Sequence, residues 1–491
     1  MMTTEDNDDK QYKTILIIGA GPGGLCLAHS LLKHNEEKGQ KFKVEVFERD
    51  SSPTDRWQGY HITLQPTGVR SLLNCTPKSL HSKLQEIAIP DPIKKLEDNT
   101  FSIVDQYGKL LFAPPNLQTK NIFEFSEIKD EPTTPVISYR DRIRDVLLEG
   151  IDVTWGKKCI GYEEVEQGVW ALFEDGTKEF GEILVGCDGI HSNIRKQKLP
   201  NLKINNLGLT IVAADIAPTK KQIDRLFSIS GGSLCKLLLG TKGDVIMYQM
   251  RYLPIQSKTN ISNKDDDYTH YRLTITYSYN SLPEDEVDKL TYRDDESPES
   301  RFPNEEEPKD IINNVKEKLR EYRPNNELTD LIIELWSLVP ITDDSTIYYP
   351  FNTYHKPRRR PLRVIDPCSI EKWPTTRVTL LGDSIHAMSP WPGLGTNIAM
   401  KDAYELSQSL FKWSEEENEV AGNVDWRSCI ERYEKEMRLY GSEATLISIN
   451  ETLKLHVRYN SKFGVFIRNI TYKIQHIISK LVYLFKKVKK T

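Results

Sequence analysis

Residues 14–24 read Thr-Ile-Leu-Ile-Ile-Gly-Ala-Gly-Pro-Gly-Gly. The apolar run Thr14–Ile18 has the length and β-branched content of a buried strand, and Leu25, Ala28, Leu31 and Leu32 beyond the glycines recur with helical spacing. A second strand, Lys43–Phe47, ends at Glu48. The segment is therefore a β-turn-α-β unit. Gly19 permits the tight strand-to-helix turn, Gly21 lets the backbone approach a pyrophosphate, and Gly24 lets helix and strand pack closely. A phosphate placed there meets the free N–H groups and dipole of a helix N-terminus. A carboxylate at Glu48 can accept both hydroxyls of an adenosine ribose and disfavours a 2′-phosphate, so the unit should hold FAD or NAD rather than NADP. A glycine-rich turn beside a surface glutamate would use the same residue types, but strand, turn, helix and acid in that order favour the dinucleotide.

Two further strands, Gly181–Gly186 and Val378–Leu381, each run into a motif. The first leads to Cys187-Asp-Gly-Ile-His-Ser-Asn-Ile-Arg195; taken alone, Asp188-Gly189 is more often simply a turn. The second leads to Leu381-Gly-Asp-Ser-Ile-His-Ala-Met-Ser-Pro-Trp-Pro-Gly-Leu-Gly-Thr-Asn397, with a helical pattern from Ile398. Asp383 is thereby delivered at a strand end, where its carboxylate can bind a sugar or ribityl hydroxyl. Gly395, Thr396 and Asn397 present helix N-terminal N–H groups suited to negative charge on a reduced flavin ring.

In this order and spacing the three motifs resemble the para-hydroxybenzoate hydroxylase family of single-component FAD-dependent monooxygenases, over about 13–205 and 370–445. The resemblance implies FAD bound by Gly19, Gly21, Pro22, Gly24, Glu48, Asp188, Asp383, Gly395, Thr396 and Asn397. It adds Arg140, matching the family's arginine on the FAD side of the cleft, and Arg56, matching its loop arginine near the flavin. It also implies a reaction in which NAD(P)H reduces FAD, oxygen adds at flavin C4a, and the resulting hydroperoxide passes one oxygen atom to an aromatic, polyketide-like or terpenoid-like molecule. The chain carries no second GxGxxG, consistent with NAD(P)H visiting a shared cleft. In such chemistry the cofactor performs the hard step and the protein supplies orientation and water exclusion, so no catalytic base is assigned. The other readings are an FAD-dependent reductase or oxidase on the same fold and a non-catalytic flavin-binding interaction protein.

Several residues invite a role without earning one. His386 is expected to bond nearby loop backbone, and His61 and Tyr60 have no evident partner. The tyrosines of Met247–Tyr252 and Tyr271–Tyr279 are expected to pack within a sheet rather than line a pocket. Ser389-Pro390-Trp391 stands where the family commonly has a Pro-Pro pair.

The fold class expected is α/β, with a Rossmann-like FAD-binding domain over 13–205 and 356–445. Period-two alternation, clearest in His270–Asn280, places an antiparallel, half-exposed substrate-binding sheet at 206–355. Within it, residues 281–310 hold twelve Asp/Glu, four Lys/Arg and four prolines, a solvated insert without chemistry. Residues 1–12 form an acidic N-terminus and 446–491 a basic helical region. Seven scattered cysteines without a CxxC pair point to reduced thiols in an intracellular, cytoplasmic protein and to no metal site. No apolar run reaches about 18 residues, so no membrane-spanning helix is expected.

With 66 Lys+Arg against 71 Asp+Glu, the net charge of −5 gives no general attraction for nucleic acid. Acidic residues stop at Glu451, however, and the last 40 residues carry ten Lys/Arg, leaving −15 on the preceding 451. In this tail Ile467, Ile470, Ile474, Ile477, Leu481, Leu484 and Val488 form one helical stripe, flanked by Arg468, Lys473, Lys480, Lys486 and Lys487. The stripe is expected to dock on the acidic body, with an anionic membrane surface and a second copy as the other occupants. Oligomeric state is not legible.

Overall fold

In the computed structural model the β-branched runs assemble into a five-stranded sheet. Its order is Val378–Leu380, Ile183–Gly186, Lys13–Ile18, Phe42–Phe47, Val153–Thr154, and every pairing is parallel. Ile15 lies between Ile183 and Val44 in register, and Leu184 beside Val378. Parallel strands covered on both faces must be apolar on both, and Ile15, Leu16, Ile17, Ile183, Leu184 and Val185 are all fully buried. Helices Pro22–Lys38 and Gly395–Glu415 pack together, with Ser30 Oγ donating to Ser407 Oγ at 2.8 Å. The structure describes residues 12–55, 61–88, 101–115, 121–128, 136–256, 269–281, 307–341, 357–415 and 425–490. Arg56, Tyr60, the acidic N-terminus and the insert from 282 to 306 lie outside the described residues.

The second sheet has seven strands in the order Arg358–Val364, Asn205–Ile216, Thr269–Asn280, Val245–Gln256, Cys235–Leu239, Phe101–Asp105, Leu110–Phe112. It therefore takes strands from 101–112 and 358–364, segments that the sequence boundaries left in the first domain. Cys235–Leu239 pairs in parallel with Phe101–Asp105, a long-range pairing that no local periodicity records.

Nor is this sheet half-exposed. On Thr269–Asn280 the residues Tyr271, Leu273, Ile275, Tyr277 and Tyr279 share a core with helices Lys220–Ser230, Pro308–Tyr322 and Glu327–Trp336. Arg272, Thr274, Thr276 and Ser278, on the other face, are buried as well. That face meets the first domain: Arg272 Nη2 donates to Asp141 Oδ2 at 3.1 Å, and His61 Nδ1 lies 2.8 Å from Thr274 Oγ1. Alternation here marks a polar face turned toward protein rather than toward water. The tyrosines pack in the core, as expected.

The C-terminal region consists of two helices, Trp426–Leu455 and Lys462–Lys490. The second lies against the edge strand Leu110–Phe112, but through the face opposite its apolar stripe. Arg468 Nη1 donates to Gly240 O, His476 Nδ1 lies 2.8 Å from Ala113 O, and Tyr472 packs against the cluster containing Leu111 and Leu237. Ile467, Ile470, Ile474, Ile477, Leu481 and Leu484 are exposed, which corrects the expectation that the stripe docks on the body. Polar groups anchor the helix because they answer the open backbone carbonyls of Gly240 and Ala113. Among the described residues no helix is long and apolar enough to cross a membrane.

One buried ion pair ties the second sheet to its helices. Asp244, at the start of a central strand, accepts from Arg323 Nε at 2.7 Å, and Arg323 Nη2 donates to Leu238 O at 2.8 Å. Both side chains are almost wholly buried. Removing one partner of such a pair strands a charge, so Asp244→Ala should cost about 3–5 kcal/mol, read as a lowered denaturant midpoint. Adding Arg323→Met to that variant should recover part of the loss.

Candidate functional site

Because the first sheet is parallel, four strands end on one edge, and each delivers a motif there. Lys13–Ile18 leads to Gly19, Phe42–Phe47 to Glu48, Ile183–Gly186 to Asp188 and Val378–Leu380 to Asp383. Hydrogen bonds fasten these ends together: Gly19 N–H donates to Phe47 O at 2.7 Å, Cys187 N–H to Ile18 O at 2.7 Å and Leu381 N–H to Gly186 O at 3.1 Å. Ligands of open α/β sheets bind beyond the carboxyl ends of their strands, which places the site here.

The glycines divide their tasks. Gly19 has φ +118°, and a Cβ there would lie 2.4 Å from Cys187 O. A Cβ on Gly24 would lie 2.1 Å from Gly19 O; both positions serve the turn itself. Gly21 differs, since its Cβ would meet only Arg140 Nη2, at 3.5 Å. It caps helix Pro22–Lys38, with Pro22 as the first helical residue, and leaves an open cradle beside the Arg140 guanidinium. Glu48 is buried; its Oε2 accepts from Ala20 N–H at 2.9 Å and its Oε1 from Asp50 N–H at 3.1 Å. A carboxylate offers about four acceptor directions, so the rest remain for a ribose diol.

Asp188 accepts from Asn193 N–H through Oδ2 at 3.0 Å, while its buried Oδ1 has no hydrogen-bond partner among the described residues. Burial pushes its pKa up, against the bonds from Ser192 and Asn193. Asp383 opens toward the cleft but is enclosed on its other sides. Enclosure raises its pKa, opposed by His386 and then Arg140, which brings Arg140 into the field of Asp383. Helix Gly395–Glu415 begins on the residues expected to present N–H groups, and a Cβ on Gly395 would lie 3.6 Å from Asp383 Oδ1. Asn397 works by its side chain in another way: Nδ2 donates to Thr63 O and Gly393 O, both at 2.7 Å, and Oδ1 accepts from Gln65 N–H at 2.8 Å. It locks the Pro/Gly loop to strand His61–Leu64, leaving only its backbone for a ligand.

His386 departs from the sequence expectation of a bond to loop backbone. Its Nε2 meets Asp402 Oδ2 at 2.6 Å, and the same oxygen accepts from Gly382 N–H at 2.7 Å. Tyr440 Oη donates to Asp402 Oδ1 at 2.8 Å. Burial alone would lower the imidazole pKa, yet Asp402 outweighs it and the net shift is upward. This knot holds Gly382, at φ +64°, and so aims Asp383. Asp402 was missed as a functional residue; its signal was an acid on the same helix face as the apolar Leu406, one turn on. Two arginines were missed likewise. Arg144 donates from Nε to Ala20 O and from Nη1 to Pro53 O, both at 3.0 Å, bracing the glycine turn. Arg195 Nη1 donates to Ile190 O at 2.6 Å and Ser384 O at 3.2 Å, joining the second and third motifs.

Against strand His61–Leu64 stands the polar face of the second sheet. Asp215, Thr274 and Gln249 lie in one row across three strands. Thr274 Oγ1 donates to Asp215 Oδ1, and Arg272 Nη2 donates to Asp215 Oδ2 at 2.8 Å. The guanidinium lies 3.8 Å from the Tyr139 ring centroid, as does the His61 ring. His61 thus has partners that no sequence spacing indicated. Trp391, in the segment that departs from the family pattern, packs with Leu209 and Leu362 of the second sheet and sets its ring edge-on to His456 at 5.4 Å.

The cleft suits FAD: an open glycine cradle, an oriented carboxylate with spare acceptor directions, a buried unsatisfied acceptor at Asp188 and a helix N-terminus beside Asp383. An FAD-binding-domain family matches residues 365–449, and an NAD(P)-binding Rossmann-like-domain family matches 17–81. The FAD-dependent monooxygenase thnD of Trichoderma harzianum is 25% identical over 448 residues, covering 88% of this chain and 91% of that protein. The FAD-dependent monooxygenase nscC of Trichophyton tonsurans is 26% identical over 434 residues, covering 86% and 90%. Over most of its length the chain is thus similar to FAD-dependent monooxygenases of the para-hydroxybenzoate hydroxylase-like kind. Among solved structures, Klebsiella pneumoniae HpxO in complex with FAD and uric acid shares the fold, with a TM-score of 0.62 at 16% identity over 97% of this chain and 99% of that one.

The cofactor is FAD. Gly21, Glu48 and Arg140 would hold its adenosine and pyrophosphate portions, and Asp383 with the Gly395–Asn397 turn its ribityl and ring portions. Gly21→Val should leave the melting temperature of the cofactor-free protein unchanged while abolishing FAD retention. Gly24→Ala, which drives a methyl into backbone, should lower that melting temperature. Asp383→Ala removes a charge-assisted hydrogen bond worth about 1.5–3 kcal/mol, so FAD affinity measured by fluorescence titration should fall roughly ten- to 150-fold.

Proposed function

We propose that the protein uses NAD(P)H and O2 to insert one oxygen atom into a small or medium organic molecule, aromatic or polyketide- or terpenoid-like. The observation that carries this reading is the placement of a buried polar sheet face, with Asp215, Thr274 and Gln249 in one row, against strand His61–Leu64, which Asn397 ties to the Pro/Gly loop. FAD, when bound, supplies electron transfer from the nicotinamide and oxygen activation. The protein's own residues then do four things. Glu48 and the glycine turn fix the cofactor's adenosine end. The N–H groups of Gly395, Thr396 and Asn397 favour negative charge at the ring end. The Asp402–His386 knot holds Asp383 in place. The packing of Arg272 on Tyr139, and of Trp391 on Leu209 and Leu362, keeps water from the space between the domains, where a dry site strengthens each electrostatic interaction. None of these steps requires a general base.

The reading predicts NAD(P)H oxidation that a substrate accelerates, with one atom of labelled O2 recovered in the product and little peroxide released. Reduction or dehydrogenation of the substrate without label would contradict it and favour a reductase or oxidase on the same fold.

A further inference from the structure

The C-terminal helix Lys462–Lys490 presents an apolar surface to solvent that the body does not use. Its anchoring residues Arg468, Tyr472 and His476 follow at steps of four, one narrow face. On the opposite face Phe463 is 72% exposed, Ile474 50%, Ile477 57% and Leu484 55%, with Ile467, Ile470 and Leu481 between them. At roughly 1.5 Å per residue the strip from Phe463 to Leu484 spans about 32 Å. An apolar strip of that length exceeds what a soluble surface ordinarily exposes and marks an interaction site.

We infer that this face lies flat on an anionic lipid surface. Charge complementarity selects that occupant. At about 100° per residue, Lys462, Lys473 and Lys480 fall on one border of the strip, and all three are exposed. Beyond Glu451 the chain has no acidic residue. Pairing with a second copy would set these lysine borders against one another with no carboxylate to match, whereas helix pairing relies on opposite charges beside the seam. Anionic headgroups neutralise the border while the strip enters the acyl boundary, the arrangement of an interfacial amphipathic helix. The −15 body is repelled by the same surface, so the helix also fixes which side of the protein faces lipid. Its polar anchors at Gly240 and Ala113 remain engaged in this orientation, and no unfolding is needed.

The test is flotation of the full-length protein with phosphatidylcholine vesicles carrying roughly one-third phosphatidylserine, against pure phosphatidylcholine. The protein should float with the anionic vesicles and much less with the neutral ones, and rising salt should release it. Lys473→Gln and Lys480→Gln should each weaken binding roughly fivefold. Ile474→Asp with Ile477→Asp should abolish it with an unchanged melting temperature, because both side chains are exposed. Failure of the wild-type chain to float, equal binding by the double Asp variant, or a dimer that this variant dissociates in the absence of vesicle binding would each overturn the inference.

Discussion

The site depends on one constraint, the parallel pairing of Lys13–Ile18 between Phe42–Phe47 and Ile183–Gly186. Parallel pairing puts every carboxyl end on the same edge, so residues more than 300 positions apart in sequence, Gly19 and Asp383, reach one cleft. The pairing is maintained by burial of apolar side chains on both faces. It is carried beyond the strands by backbone bonds from Gly19 to Phe47, Cys187 to Ile18 and Leu381 to Gly186. A register slip would break these bonds and separate the pyrophosphate cradle from the ribose carboxylate.

Buried polar groups then supply precision that apolar packing cannot. Arg144 braces the glycine turn, Arg195 couples the second motif to the third, and Asp402 binds Gly382, His386 and Tyr440 at once. Each satisfies otherwise stranded backbone or side-chain groups, which is why charged residues persist in so enclosed a region. The second sheet meets this frame through Arg272 and Thr274, so its polar alternation serves the junction between domains.

Much of the nucleotide fold was legible in the sequence because its signals are local. A strand, glycines at fixed spacing and a helix lie within a few residues of one another, and Glu48, Asp188 and Asp383 each follow directly on a strand. What escaped was non-local. Phe101–Asp105 and Arg358–Val364 join the second sheet through pairings that local pattern does not encode. Asp402 and Arg144 look like ordinary helical charges until their partners are known, and His386 finds a carboxylate sixteen residues away rather than its own loop. For the tail, periodicity gave the apolar stripe but not its direction, because a few polar contacts on the opposite face decide how the helix docks.

The central claim is that the four strand ends form an FAD site. The most direct measurement is the absorption spectrum of the purified wild-type protein, followed by analysis of what denaturation releases. A yellow protein with flavin absorbance, yielding FAD in near-equal molar amount, is the result expected. A colourless protein that takes up no FAD on incubation with the free cofactor would contradict the account.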